Sequence, residues 1–184
     1  MQWIKKLLGG KSASPLKSKK DLLLNKIDRL MTNLPQPRAD AYLAARKIKA
    51  TASDCRLSSV IPKPVSVPLI APDIAGVAFS LDVTQKRIVL KLKCQLRCTT
   101  EAVVLARLDF ASPHRNPDGT AVGVPHLHVY REGYGDKFAY EVPPGMLKNP
   151  DNPLQVLLDF LATYNIERNG IVDLPQTEDD PIWL

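Results

Sequence analysis

Between residues 74 and 110 apolar side chains recur at every second position, a period that admits strands and little else. Val77, Phe79, Leu81 and Val83 alternate with small or polar residues. Over 87–98 the apolar set is Ile88, Leu90, Leu92, Cys94 and Leu96; over 102–110 it is Val104, Ala106, Leu108 and Phe110. Successive strand residues point to opposite faces, so each segment offers one face to a core. The other faces carry Arg87, Lys91, Lys93 and Arg97 on one strand, and Arg107 and Asp109 on the next. Thr84 and Gln85 are expected to turn the chain. Two more strands are predicted over 124–131 and 137–142, joined through Gly133-Tyr134-Gly135. The proline-rich stretch 60–72 predicts a loop or a ragged edge strand.

The flanks change period. Asp21 suits the N-cap of a helix over 22–33, ended by Pro35 and Pro37. A second helix is expected over 39–50, with Arg46, Lys47 and Lys49 near its C-terminal end, where cations suit the helix dipole. Asn152 followed by Pro153 starts a closing helix, whose stripe is Leu154, Leu157, Leu158, Leu161 and Ala162. These elements predict an α+β domain: an antiparallel sheet of about five strands, two N-terminal helices and one C-terminal helix. There is no internal repeat.

A length of 184 residues fits one domain with extensions. Residues 1–20 hold six lysines and no acid and are expected as a basic flexible extension; residues 171–184 form an acidic tail with Asp173, Glu178, Asp179 and Asp180. The domain itself is assigned to 21–170, with 19 basic and 15 acidic residues, so the net charge of +6 overstates how cationic it is. No apolar run reaches a membrane-spanning length. Three cysteines, an odd count without a secretory leader, predict reduced thiols and a cytoplasmic location.

The chemistry concentrates between residues 109 and 137. All three histidines, His114, His126 and His128, fall within fifteen residues. In a strand, residues two apart share a face, which predicts a row of His126, His128 and Tyr130. Antiparallel pairing of 102–110 with 124–131 would add Arg107 and Asp109 to it. Two imidazoles and a phenol on a cationic face suit phosphodiester chemistry, one histidine as base and the other as acid. Filler histidines on a half-exposed sheet are the plain alternative. A His-x-His metal site with Asp109, Asp118 or His114 is a weaker reading, and the expectation is no metal and no cofactor. Cys94 and Cys98, roughly 13 Å apart on an extended strand, are too far apart to share one ion unless a bulge intervenes. No P-loop, no dinucleotide-binding glycine pattern and no Gly-x-Ser-x-Gly elbow is present.

The strings LARLDF (105–110), PHRNPDG (113–119) and PHLHVYREGYGDK (125–137), followed by Phe138-Ala139, resemble an uncharacterised bacterial family, a domain of unknown function (DUF6978), over about 34–166. The resemblance implies a leading helix followed by strands. The matching positions are Arg107, Asp109, His114, Asn116, Asp118, Gly119, His126, His128, Tyr130, Arg131, Glu132, Asp136 and Lys137. It implies a site and no reaction.

The leading expectation is therefore a nucleic-acid-directed protein: a metal-independent ribonuclease of the toxin or defence type. His126, His128, Tyr130 and Asp109 are the candidate catalytic residues. Arg107, Arg131, Lys137, Lys91 and Lys93 are the candidate phosphate binders. His114, Asn116 and Asp118 form a motif loop. The competing expectation is a non-catalytic module that binds a protein partner encoded nearby.

Overall fold

A computed structural model of the protein describes residues 34–50, 57, 64–86 and 91–172. In chain order they form helix α1 (Gln36–Ala44), strands β1 (Ile48–Lys49), β2 (Val65–Ile70), β3 (Ala78–Lys86), β4 (Lys91–Cys98), β5 (Val103–Asp109), β6 (His114–Arg115), β7 (Ala121–Val122), β8 (His126–Val129) and β9 (Ala139–Glu141), then helix α2 (Pro153–Thr163). Seven strands make one sheet in the order β1-β2-β3-β4-β5-β8-β9, and each neighbouring pair is antiparallel. β6 and β7 form a separate hairpin.

The five strands expected from the alternation are β3, β4, β5, β8 and β9. The sheet has seven because the proline-rich stretch pairs after all. β2 runs Val65↔Val83 to Ile70↔Ala78, and β1 pairs with it through Ile48↔Ile70 and Lys49↔Leu69. Among the described residues the β1 ladder stops at Leu69, one residue short of Pro68, whose missing N–H therefore interrupts no β1–β2 pair and whose carbonyl still accepts from the Ala50 amide (2.9 Å). Thr84 and Gln85 belong to β3, in register with Lys93 and Leu92, and make no turn.

The helix expected over 22–33 lies outside the described residues. α1 starts earlier and stops sooner than expected. Pro35 is its N-cap and Pro37 sits within its first turn, positions where a missing N–H costs nothing. Lys47, expected on the exposed end of this helix, is fully buried. Its ammonium donates to the carbonyls of Leu43 (3.1 Å), Ala45 (2.7 Å) and Tyr164 (3.0 Å), closing the C-terminal end of α1 and tying it to the segment after α2. Burial pulls its pKa down to about 8.

α2 begins as the sequence reads. The Asn152 side chain accepts from the amides of Leu154 and Gln155, and Val156, Leu157, Phe160 and Leu161 are buried. The core they complete takes Leu81 and Val83 from β3, Leu92, Cys94 and Leu96 from β4, Leu108 from β5 and Leu127 from β8. Among the described residues no helix is long and apolar enough to cross a membrane.

The register fixes what the opposite face carries. One cross-strand row is Asp82, Gln95, Arg107 and His128; the next is Thr84, Lys93, Asp109 and His126. A bulge between Leu96 and Arg97 places Leu105 opposite no β4 residue, and Leu105 is buried rather than facing outward.

Candidate functional site

Arg107 and His128 are direct partners across β5 and β8, as are Asp109 and His126. Those four residues share the sheet face opposite the core because the period of two holds through both strands. The histidines are nonetheless closed off, at 2 % and 1 % exposure for His126 and His128. The β6–β7 hairpin and the turn through residues 131–138 cover them. Asn116, next to β6, fixes that lid: its amide donates to the carbonyl of Ala139 (2.9 Å) and accepts from the amide of Ala139 (2.7 Å), so one side chain extends the sheet at β9.

Three imidazoles meet under the lid. Ring centroids are 4.6 Å apart for His114 and His128, 4.9 Å for His126 and His128, and 5.8 Å for His114 and His126. Each ring donates one N–H to a backbone carbonyl: His114 Nε2 to Lys137 (2.9 Å), His126 Nδ1 to Gly123 (2.9 Å), His128 Nδ1 to Asp136 (2.8 Å). Among the described residues no group of three His, Cys, Asp or Glu side chains is arranged to hold a metal ion.

His128 has a fixed tautomer. A guanidinium can only donate, so the 3.0 Å contact from Arg107 Nη2 makes His128 Nε2 the acceptor and leaves the proton on Nδ1. Burial, followed by the charge of Arg107, lowers its pKa to about 4. Arg107 in turn is paired with the Asp136 carboxylate through Nη1.

The remaining candidates separate from this cluster. Tyr130 does not continue the histidine row: β8 ends at Val129, and although the Tyr130 amide still donates to the Leu105 carbonyl (2.8 Å), the ring enters the core and its hydroxyl donates to the carbonyl of Leu34 (2.8 Å). Asp109 turns away to accept from the amide of Ala111 (2.7 Å). Asp118 closes the tip of the hairpin by accepting from the amide and hydroxyl of Thr120, which lowers its pKa. Lys93 is in register with Asp109 on β4, while Lys91 pairs with Lys86 beyond the last β4–β5 pair. Arg131 lies over the rings of Phe138 (4.8 Å) and Tyr134 (5.4 Å).

What stays open beside the lid is a cleft of about 370 Å³ lined by Arg107, His114, Arg115, Pro117, Asp136 and Lys137. Arg115 and Asp136 were not expected there as ligand-facing groups. Arg115 is the lone cation of the hairpin and Asp136 follows a double-glycine turn, which are weak signals without the fold. Glu132 points elsewhere, to the start of α1. Its carboxylate accepts from the amide of Gln36 (2.9 Å), and its own amide donates to the Gln36 side chain (2.9 Å). It therefore caps α1, whose N-cap Pro35 supplies no side-chain acceptor.

Fold and site together define an α+β domain with a seven-stranded antiparallel sheet, two buried histidines beneath a small hairpin that carries the third, and a small cationic cleft at its margin. The chain belongs to a family of unknown function, DUF6978, whose model matches residues 34–166. No curated protein and no solved structure matches it.

Proposed function

We propose that the protein binds nucleic acid through the cleft beside the β6–β7 hairpin, with its buried histidines holding the site in shape rather than carrying protons. The observation that supports this most is the engagement of His128, whose two ring nitrogens are both occupied, one on the Asp136 carbonyl and one on Arg107. A histidine so placed positions the guanidinium and the turn at the cleft margin. Beyond the paired Arg107 and Asp136, the cleft offers two further cations, Arg115 and Lys137. Arginine and lysine at a concave, open surface suit phosphate oxygens, the dominant contact to any nucleic acid.

The test is a fluorescence-anisotropy titration of the full chain with labelled RNA and DNA oligonucleotides at several salt concentrations. Binding should weaken linearly in log affinity against log salt. Arg115→Ala and Lys137→Ala should each weaken it and shallow that slope by about one. Affinity absent at low salt, or unmoved by both substitutions, would defeat the proposal.

A ribonuclease is the second reading, favoured by one observation. His114 lines the cleft, and with Nε2 donated to Lys137 its Nδ1 is the basic nitrogen. Catalysis there would rest on His114 and not on the His126–His128 pair.

A further inference from the structure

We infer that the nucleic acid taken by this cleft is single-stranded, with one base stacked on the ring of Tyr134. The inference rests on the nucleic-acid reading above and adds the strand type. Arg131 and Gly135 pair with each other, amide to carbonyl in both directions at 2.8 Å, and the Tyr134 amide donates to the Arg131 carbonyl (2.9 Å). Gly133 and Gly135 have φ of +80° and +62°, backbone that other residues rarely adopt, and a Cβ on either would meet nothing within 4 Å. The turn thus carries Tyr134 to the surface, and the residue remains 45 % exposed.

Its orientation is set from below. The buried Phe138 meets the Tyr134 ring edge to face, with centroids 5.0 Å apart at 84°. The Arg131 guanidinium lies over the Tyr134 ring at 5.4 Å, and the exposed part of the ring is what a ligand could meet. Folding gains little from a large ring held this way in water. Just beyond it in the chain come Asp136 and Lys137 of the cleft, and the Lys137 amide donates to the Tyr134 carbonyl at 3.4 Å. An ordered aromatic face beside backbone-binding cations is the combination that single strands use, because their bases present faces; a duplex hides those faces in its own stack. A single stacking ring implies one stacked base and weak sequence preference.

The experiment compares a labelled single-stranded oligouridine with a duplex hairpin of equal charge, using the full-length wild type, Tyr134→Ala, Tyr134→Phe and Lys137→Ala. The wild type should prefer the single strand by about tenfold or more. Tyr134→Ala should lower single-strand affinity by about 5- to 100-fold and bring the two affinities together, and Tyr134→Phe should restore the preference. Equal affinity for both forms with no effect of Tyr134→Ala would overturn the stacking inference; if Lys137→Ala still weakens binding, the nucleic-acid reading survives it. No affinity for either form would remove both, and would point to a protein partner for Tyr134.

Discussion

Nη2 of Arg107 sits 3.0 Å from Nε2 of His128, across the antiparallel pair β5–β8. The contact requires a neutral imidazole, and His128 stays neutral because its pKa is lowered to about 4 from an ordinary 6.5. Unfolded chains therefore take up a proton at this position between pH 6.5 and 4, while the folded protein does not. Stability from His128 is complete above pH 6.5 and is lost as pH falls towards 4.

His128→Gln isolates that contribution, since an amide offers one acceptor for Arg107 and one donor for the Asp136 carbonyl. Between about pH 7 and 4.5 the wild type should lose about 2–3 kcal/mol more than the variant in urea unfolding. Parallel losses in the two proteins would show that the His128–Arg107 contact does not depend on the neutral ring.

Asn116 closes the free edge of β9 with a paired amide contact to Ala139. Asn116→Ala leaves a buried donor and acceptor without partners, a loss of about 2–3 kcal/mol. Asn116→Asp should cost more, because a carboxylate would then face the Ala139 carbonyl. Hydrogen exchange at Ala139 should accelerate in both variants. An unchanged rate would mean that the hairpin does not protect this edge.

The alternation of β3, β4, β5 and β8 was legible because each strand turns an apolar face to the core; Arg107, Asp109, His126 and His128 followed from it. Three things were not legible. Tyr130 breaks the row because the strand ends one residue before it, and a period cannot announce its own end. The burial of His126 and His128 depends on a lid that Asn116 ties to Ala139, 23 residues further along the chain. β2 was obscured by Pro68, whose missing N–H is harmful only where a full partner strand lies on that side.

Lys47 shows the right physics in the wrong place. A cation does serve the end of α1, but from a buried position that no helical period specifies. Lys47→Met should destabilise the protein by about 2–4 kcal/mol, because three carbonyls lose their donor and methionine fills only the volume. Thermal unfolding checks this, and a melting temperature within about 1–2 °C of wild type would contradict the capping role.

Binding and catalysis can be separated at His114. With the histidines as struts, full-length protein should retain single-stranded RNA without cleaving it, with or without a chelator, across about pH 5–8. His114→Ala should still weaken retention several-fold, because the ring anchors the Lys137 carbonyl and forms part of the cleft wall. Cleavage with a bell-shaped pH profile, abolished by His114→Ala but not by His128→Gln, would instead place proton transfer at His114. That outcome would replace the binding module with a ribonuclease whose base stands at the cleft mouth and whose other two histidines hold it there.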